Sequence, residues 1–147
     1  MEASSDPRRV LVVANRTAAT PDLLEEVRRL AHERPSEFVL LIPDASGGSG
    51  DWTLELALPL LERAAGGAVT GFAAEGEEPL EAIRRTVEEQ RIDEIVISTL
   101  PRRVSAWLKR DLPHQVERLG LPVSVVTPQR ERLPDRVPLM GGGGGPA

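Results

Sequence analysis

The sequence predicts an α/β protein with a doubly wound, five-stranded parallel sheet, arranged as a three-layer α/β/α sandwich. Short continuous apolar segments, typical of strands that are buried on both faces of a parallel sheet, recur along the chain. Between them lie segments with apolar residues at intervals of three and four, which is typical of amphipathic helices. The two kinds of segment alternate, and alternation of this kind favours right-handed β-α-β crossovers with helices on both faces of the sheet.

Composition indicates one soluble domain. The chain has 147 residues, of which 40% are hydrophobic and 28% charged, so it is ordinary globular material of single-domain size. We expect a folded unit at 8–128. On either side we expect flexible tails, at 1–7, which is polar and small, and at 129–147, where five consecutive glycines (141–145) have no side chains to bury.

Several classes of function are excluded by composition. The formal net charge of −5 argues against a nucleic-acid-binding protein, which usually carries a basic surface. The chain has no cysteine, so it has no disulfide, no thiolate nucleophile and no cysteine-ligated metal. No apolar segment approaches the ~20 residues of a membrane span, and residues 1–7 lack the apolar core of a signal peptide. We therefore expect a cytoplasmic protein that binds neither nucleic acid nor membrane.

The first strand and helix are predicted at Val10–Ala14 and from Thr20 onward. Thr20 is a suitable N-cap, Pro21 suits the first helical turn, and Asp22 suits the positive end of the helix dipole. The apolar residues that share one helical face are Leu23, Leu24, Val27, Leu30 and Ala31.

The second strand is predicted at Phe38–Ile42, and we expect Pro43 to end it. A second helix is expected within Trp52–Ala65, ended by two glycines at 66–67. Pro59 lies inside this pattern, so it either kinks the helix or begins a shorter one.

The third strand, at Ala68–Ala74, has the weakest pattern because Gly71 interrupts it. Glu78 and Pro79 then open a third helix. Its apolar face contains Leu80, Ile83 and Val87.

The last elements are a strand at Glu94–Ser98, a short helix through Leu119 capped by Asp111 or Leu112, and a strand at Pro122–Val126. Val104 and Trp107 also suggest a helical turn before the last helix. We expect the strand order 3-2-1-4-5, in which the first and fourth strands are central neighbours.

Polar groups follow both of those central strands. In an open doubly wound sheet, ligands bind beyond the carboxyl ends of the strands, where the strand order reverses. Hydroxyls, an amide and arginines are groups that hold phosphate or carboxylate. The candidate residues of this anion site are Asn15, Arg16, Thr17, Ser98, Thr99, Arg102, Arg103 and Ser105.

Local charge agrees with an anion site, although a second interpretation stays open. The segment Ser98–Arg118 has five basic and two acidic residues, whereas Glu75–Glu94 has eight acidic and three basic ones. However, 17 of the 18 basic residues are arginine, which is typical of a GC-rich coding bias. The arginines of the basic segment are therefore either ligand-binding groups or solvated surface residues.

Four segments, in this order and spacing, resemble the universal stress protein family. They are Arg9–Asn15, Gly76–Ile83, Arg91–Ile97 and Leu121–Val126, which together extend over nearly the whole folded unit. The resemblance implies the α/β fold of that family and of the related adenine nucleotide alpha hydrolases. It also implies a role in the stress response, a homodimer, and ATP or AMP as the candidate ligand.

The chain departs from the ATP-binding members of that family, and looks like a divergent bacterial branch of uncharacterised proteins. Those members have an aspartate near the end of the first strand, where this chain has Asn15. They also have a glycine-rich stretch after the fourth strand, where this chain has Ser98, Pro101 and Asp111. Glycine lets the backbone approach a phosphate closely, whereas serine and proline add bulk. An anion would then be held with a different geometry, by Arg102 and Arg103.

No catalytic or metal-binding motif is present. The sequence has no G-x-S-x-G serine, no lysine after a glycine cluster, and only two histidines, which lie far apart. The leading hypothesis is a non-enzymatic binding or regulatory domain that forms a homodimer through its apolar fifth strand. The alternative is an ATP- or AMP-binding protein with slow or no hydrolysis. A third hypothesis is a soluble partner of a transporter or kinase that docks through the basic segment.

Overall fold

The computed structural model describes residues 7–14, 18–45, 49–75, 77–99 and 111–127. The predicted tails lie outside these ranges except for Pro7, and the last residue of the predicted folded unit, at 128, also lies outside them. The helical turn suggested by Val104 and Trp107 lies outside the described residues as well. The elements in chain order are β1 (Arg8–Val13), α1 (Pro21–Glu33), β2 (Ser36–Ala45), α2 (Ser49–Ala65), β3 (Val69–Glu75), α3 (Pro79–Gln90), β4 (Glu94–Ser98), α4 (Leu112–Glu117) and β5 (Val123–Val126).

The five strands form one parallel sheet in the order β3-β2-β1-β4-β5, which confirms the predicted architecture. β1 lies at the centre, with Val10 level with Phe38 of β2 on one side and with Glu94 of β4 on the other. The order reverses at this point, because the chain moves outward from β1 to β3 and then returns to β4.

The core has two layers, one on each face of the sheet. Val10 and Val12 of β1 pack with α1 and α2, whereas Leu11 and Val13 pack with α3 and α4. Each of these four side chains is at most 1% exposed. Burial on both faces is the reason why residues 10–13 of β1 are a continuous apolar run without polar alternation.

The predicted start of α1 is confirmed. The backbone N–H of Leu23 donates to the Thr20 hydroxyl at 3.4 Å, and Pro21 occupies the first turn. Leu23, Val27 and Leu30 are buried, as their spacing predicts.

The expectation that Pro43 ends the second strand is wrong, because β2 continues to Ala45. The Leu41 carbonyl accepts a hydrogen bond from the Ala14 N–H, so the backbone N–H and C=O of Leu41 point toward β1. These directions alternate along a strand, so the backbone nitrogen of Pro43, two residues later, also points toward the β1 side. β1 has ended by that level. The missing N–H of Pro43 therefore removes no hydrogen bond to β3, with which Pro43 remains paired at Ala74.

Helix α2 is longer than expected and contains Pro59 in its interior, so Pro59 does not begin a shorter helix. Gly66 ends α2 with a positive φ of 78°. The third strand also forms, because Gly71 permits close packing. A Cβ built on Gly71 would lie 2.9 Å from Leu54 Cδ2 and 3.0 Å from Leu58 Cδ2, so the missing side chain makes room for α2.

The later elements match their predictions within a few residues. β4 is Glu94–Ser98, as expected, and Pro79 opens α3. The last helix ends at Glu117, before the expected Leu119. Asp111 occupies its N-cap position in the left-handed conformation, with φ of 61° and no side-chain cap hydrogen bond.

Candidate functional site

The carboxyl ends of β1 and β4 lie side by side in the middle of the sheet. Val13 is level with Ile97, so the residues that follow, Ala14 and Ser98, lie side by side at the carboxyl end of the strands. The strand order reverses between these strands, and this is the position where open parallel sheets bind ligands.

Two of the predicted site residues are described. Ser98 is the last residue of β4 and Thr99 follows it, and each is 1% exposed. The others lie outside the described residues, although Asn15 follows Ala14 directly in the chain. Those others are Asn15, Arg16, Thr17, Arg102, Arg103 and Ser105.

Strand alternation places the Ser98 side chain on the α1/α2 face. Val96, two residues before it, packs in the core layer of that face together with Ala14. The neighbour of Ser98 on β1 is therefore a methyl group, and the Ser98 hydroxyl is the polar group of this pair.

Thr99 is joined to a residue that the sequence analysis did not select. Its hydroxyl lies 3.1 Å from the hydroxyl of Thr127, and its backbone N–H donates to the carbonyl of Val126 at 2.8 Å. One hydroxyl of the pair donates to the other, so a single hydrogen remains for a third group. Thr127 directly follows β5, just as Asn15 follows the first strand, and this position was the signal that could have identified it.

Asp111 places a carboxylate at the start of α4. Its Oδ2 lies 3.4 Å from His114 Nδ1, and both side chains are exposed. Because the N-terminus of a helix carries partial positive charge, Asp111 already supplies an anion there. The first turn of α4 is therefore a poor place for a phosphate.

The opposite end of the sheet, where β1 begins, has a polar network around Arg8 that the sequence analysis did not identify. Arg8 is 7% exposed, and its guanidinium donates to Glu94 Oε1 at 3.0 Å, the Leu30 carbonyl at 2.9 Å and the Ser36 hydroxyl at 3.1 Å. These partners lie on β4, α1 and β2. Arg8 thus joins three elements, and its donors are used within the fold.

Arg9 forms a second, more exposed network at the same end of the sheet. It donates to Glu37 Oε1 at 2.7 Å and, on α3, to the carbonyl and side-chain oxygens of Gln90 at 2.6 and 3.1 Å. A depression of about 430 Å³ opens beside it, lined also by Glu37, Phe38 and Thr70. Because Glu37 neutralises Arg9, this depression has no net positive charge to hold an anion.

One ion pair joins the residues just before α3 to the middle of that helix. Arg85 donates through Nη2 to Glu77 Oε1 at 2.7 Å and through Nε to Oε2 at 3.1 Å. This two-point hydrogen bond lowers the pKa of Glu77 and raises that of Arg85.

Within the described ranges, no three histidine, aspartate or glutamate side chains come together as metal ligands. No helix in this part of the chain has the length and apolar character needed to cross a membrane.

Two solved structures are similar to this fold, and both are of a universal stress protein from Archaeoglobus fulgidus. One has a TM-score of 0.56 and 18% identity, over 81% of this chain and 93% of that one. The other, a complex with dAMP, has a TM-score of 0.58 and 19% identity, over 82% and 98% of the two chains. No family model and no curated protein matches the sequence. The chain therefore has the fold of the universal stress proteins.

Proposed function

We propose that this chain is a cytoplasmic, non-enzymatic regulatory domain of universal stress protein type, which binds an adenine nucleotide or another phosphate-bearing anion at the carboxyl ends of β1 and β4. The observation that carries the proposal is the central pairing of β1 with β4. Polar residues follow both strands, and the sheet order reverses between them.

The described end of the site is built from hydroxyls. Ser98, Thr99 and Thr127 supply these groups, and no charged residue occurs in 95–99 or 123–127. In this proposal the positive charge comes from the segments that follow β1 and β4, through Arg16, Arg102 and Arg103. The dAMP complex of a protein with the same fold supports a nucleotide as the ligand.

The alternative within the same proposal is an ATP- or AMP-binding protein with slow or no hydrolysis. We favour binding without hydrolysis, because the sequence has no lysine after a glycine cluster of the kind that holds the phosphates of ATP in P-loop hydrolases. Incubation of the protein with ATP and magnesium, followed by chromatography of the nucleotides, separates the two. Release of ADP above the buffer blank favours the alternative.

Isothermal titration with AMP, ATP and inorganic phosphate tests the site. We expect heat with AMP or ATP, and at least a tenfold loss of affinity when Arg102→Glu and Arg103→Glu are combined. The matched control reverses Arg28 and Arg84, which are exposed on α1 and α3. Absence of heat with all three ligands at protein concentrations well above micromolar would refute the proposal. Equal losses in both double variants would remove Arg102 and Arg103 from the site.

We also propose that the domain forms a homodimer through β5. This strand lies at the edge of the sheet, and Val125 is 43% exposed there. Exposed apolar edge strands are usually paired or covered. Light scattering should give a dimer mass at tens of micromolar, and Val125→Arg should give a monomer. A monomer mass for the unmodified protein contradicts this assembly.

A further inference from the structure

Helix α2 has an outward surface that no described element covers. Its inward side chains, Ala57, Leu61 and Ala64, are buried, and α1 packs beside it. The opposite side forms what we call the α2 outer face. This face consists of Glu55, Leu56, Pro59 and Arg63, all of them exposed.

The α2 outer face has an apolar centre. Leu56 is 52% exposed, and among the described side chains the other exposed large apolar one is Val125, at 43%. Pro59 lies one turn further on, at the middle of the exposed arc. A single exposed leucine is common in monomeric proteins, so Leu56 alone does not indicate an interface. The charged residues around it are what indicate an interface.

The charges of this face are arranged symmetrically about Pro59. Glu55 lies four residues before it and Arg63 four residues after it, about 6 Å along the helix axis in each direction. If two copies of α2 pack antiparallel with Pro59 at the centre, Glu55 of each copy becomes level with Arg63 of the other. The face is therefore complementary in charge to itself, as an isologous interface requires.

Pro59 adds a polar group to the same surface. It has no N–H, so the carbonyl of Glu55, four residues before it, loses its helical donor. In the antiparallel pair, the guanidinium of the second copy's Arg63 reaches this level of the helix. It can donate both to that carbonyl and to the Glu55 carboxylate.

We propose that the α2 outer face is an interface with a second copy of this chain, in which two α2 helices pack antiparallel about Pro59. This interface is separate from the β5 edge. Together, two isologous contacts on one subunit link dimers into a closed tetramer or a larger assembly.

Disulfide trapping tests the geometry, because the chain has no native cysteine. Pro59→Cys places one thiol at the proposed symmetry axis, and removal of a proline from a helix interior does not threaten folding. The control is Arg84→Cys, exposed on α3 on the other side of the sheet. Under mild oxidation we expect the Pro59→Cys protein to form a covalent dimer at least about tenfold faster than the control. Equal rates would overturn the proposal.

Charge reversal tests the register. Glu55→Arg and Arg63→Glu should each slow trapping of Pro59→Cys by several-fold, and the two reversals together should restore it. Trapping that no single reversal slows, or that the double reversal fails to restore, contradicts the pairing. The β5 variant Val125→Arg should leave trapping unchanged, so failure of this interface and failure of the β5 dimer are distinguishable.

Discussion

Gly71 lies on β3 beneath α2, where two leucine side chains occupy the space that a side chain of its own would need. A Cβ at this position would be 2.9 Å from Leu54 Cδ2 and 3.0 Å from Leu58 Cδ2. The first contact is closer than a Cβ tolerates and the second is tight, so the two leucine side chains would have to shift. The absence of a side chain at Gly71 thus leaves room for Leu54 and Leu58 of α2.

We predict that Gly71→Val destabilises the protein by about 1–3 kcal/mol, the usual cost of overpacking. Gly67→Val is the control, because a Cβ there would meet nothing within 4 Å and its φ is not positive. Urea unfolding of both variants measures the difference. Equal stability of the two variants would show that Leu54 and Leu58 adjust without cost.

Arg8 is a buried cation whose loss leaves the Glu94 carboxylate without the cation that it pairs with. Glu94 is only 17% exposed, whereas the Leu30 carbonyl keeps a second hydrogen bond, from the Arg34 N–H at 3.4 Å. We predict that Arg8→Met costs about 2–4 kcal/mol, because the largely buried carboxylate of Glu94 then has no cation beside it. Arg84→Met, which breaks a surface pair with Glu81, should cost less than about 1 kcal/mol. An Arg8→Met protein as stable as Arg84→Met in urea unfolding contradicts this role.

Single residues also mark the limit of the sequence analysis. Arg8 was not identified because its acceptor Glu94 lies 86 residues away. Thr99 was selected, but its partner Thr127 was not, since 28 residues separate them. Motif spacing reports on local neighbours, whereas these contacts arise only when the sheet brings distant strands together.

Among the elements, α3 carries a pair whose effect depends on pH. The hydrogen bonds from Arg85 lower the pKa of Glu77, so the folded state binds this proton less readily than the unfolded state. The stabilisation is therefore present above the ordinary pKa of 4.5 and disappears as the pH falls through the lower, folded value.

We predict that Arg85→Met lowers the free energy of unfolding at pH 7 by roughly 0.5 kcal/mol, a small value because both side chains are partly exposed. The difference from the unmodified protein should shrink toward zero at acidic pH. Urea unfolding between pH 3 and pH 7 measures it, with Arg84→Met as a control that breaks another surface pair on the same helix. A difference that stays constant across this range assigns the effect to packing.

Prolines and glycines explain why element boundaries were harder to predict than element types. Pro43 was expected to end β2, but its missing N–H faces the side where β1 has already ended. Pro59 lies within α2 because packing against the sheet holds the helix across it. Gly71 weakened the pattern of β3, although it is the residue that lets α2 approach. In each case, tertiary contacts decided an outcome that local propensity left open.

At the level of the whole molecule, alternation and handedness leave few topologies for five strands, and the resemblance to the universal stress protein family selected the strand order among them. The same order located the candidate site at β1 and β4. The sequence could not decide which of the polar groups after these strands converge, since their side-chain directions depend on loops rather than on strand alternation. Ser98 and Thr99 are described at the site, and the roles of Arg16, Arg102 and Arg103 remain predictions.

Binding of a nucleotide should stabilise the whole domain through mass action. At a free AMP concentration of about 100 times its dissociation constant, we predict an increase of about 2.7 kcal/mol in the free energy of unfolding. For a domain of this size, thermal unfolding should shift upward by roughly 8–12 °C. Adenosine at the same concentration is the control, because it lacks the phosphate. A shift with adenosine as large as that with AMP would show that the phosphate is not recognised.

The central position of β1 has a consequence for synthesis on the ribosome. Arg8–Val13 leaves the exit tunnel well before its partner Glu94–Ser98, which is translated some eighty residues later. During that interval one edge of a strand whose residues 10–13 are all apolar lacks its native neighbour, and such edges readily join other nascent polypeptides. Of the paired strands in this sheet, β1 and β4 are therefore separated by the longest interval of translation, and protection of β1 during that interval becomes a condition for a good yield of folded protein.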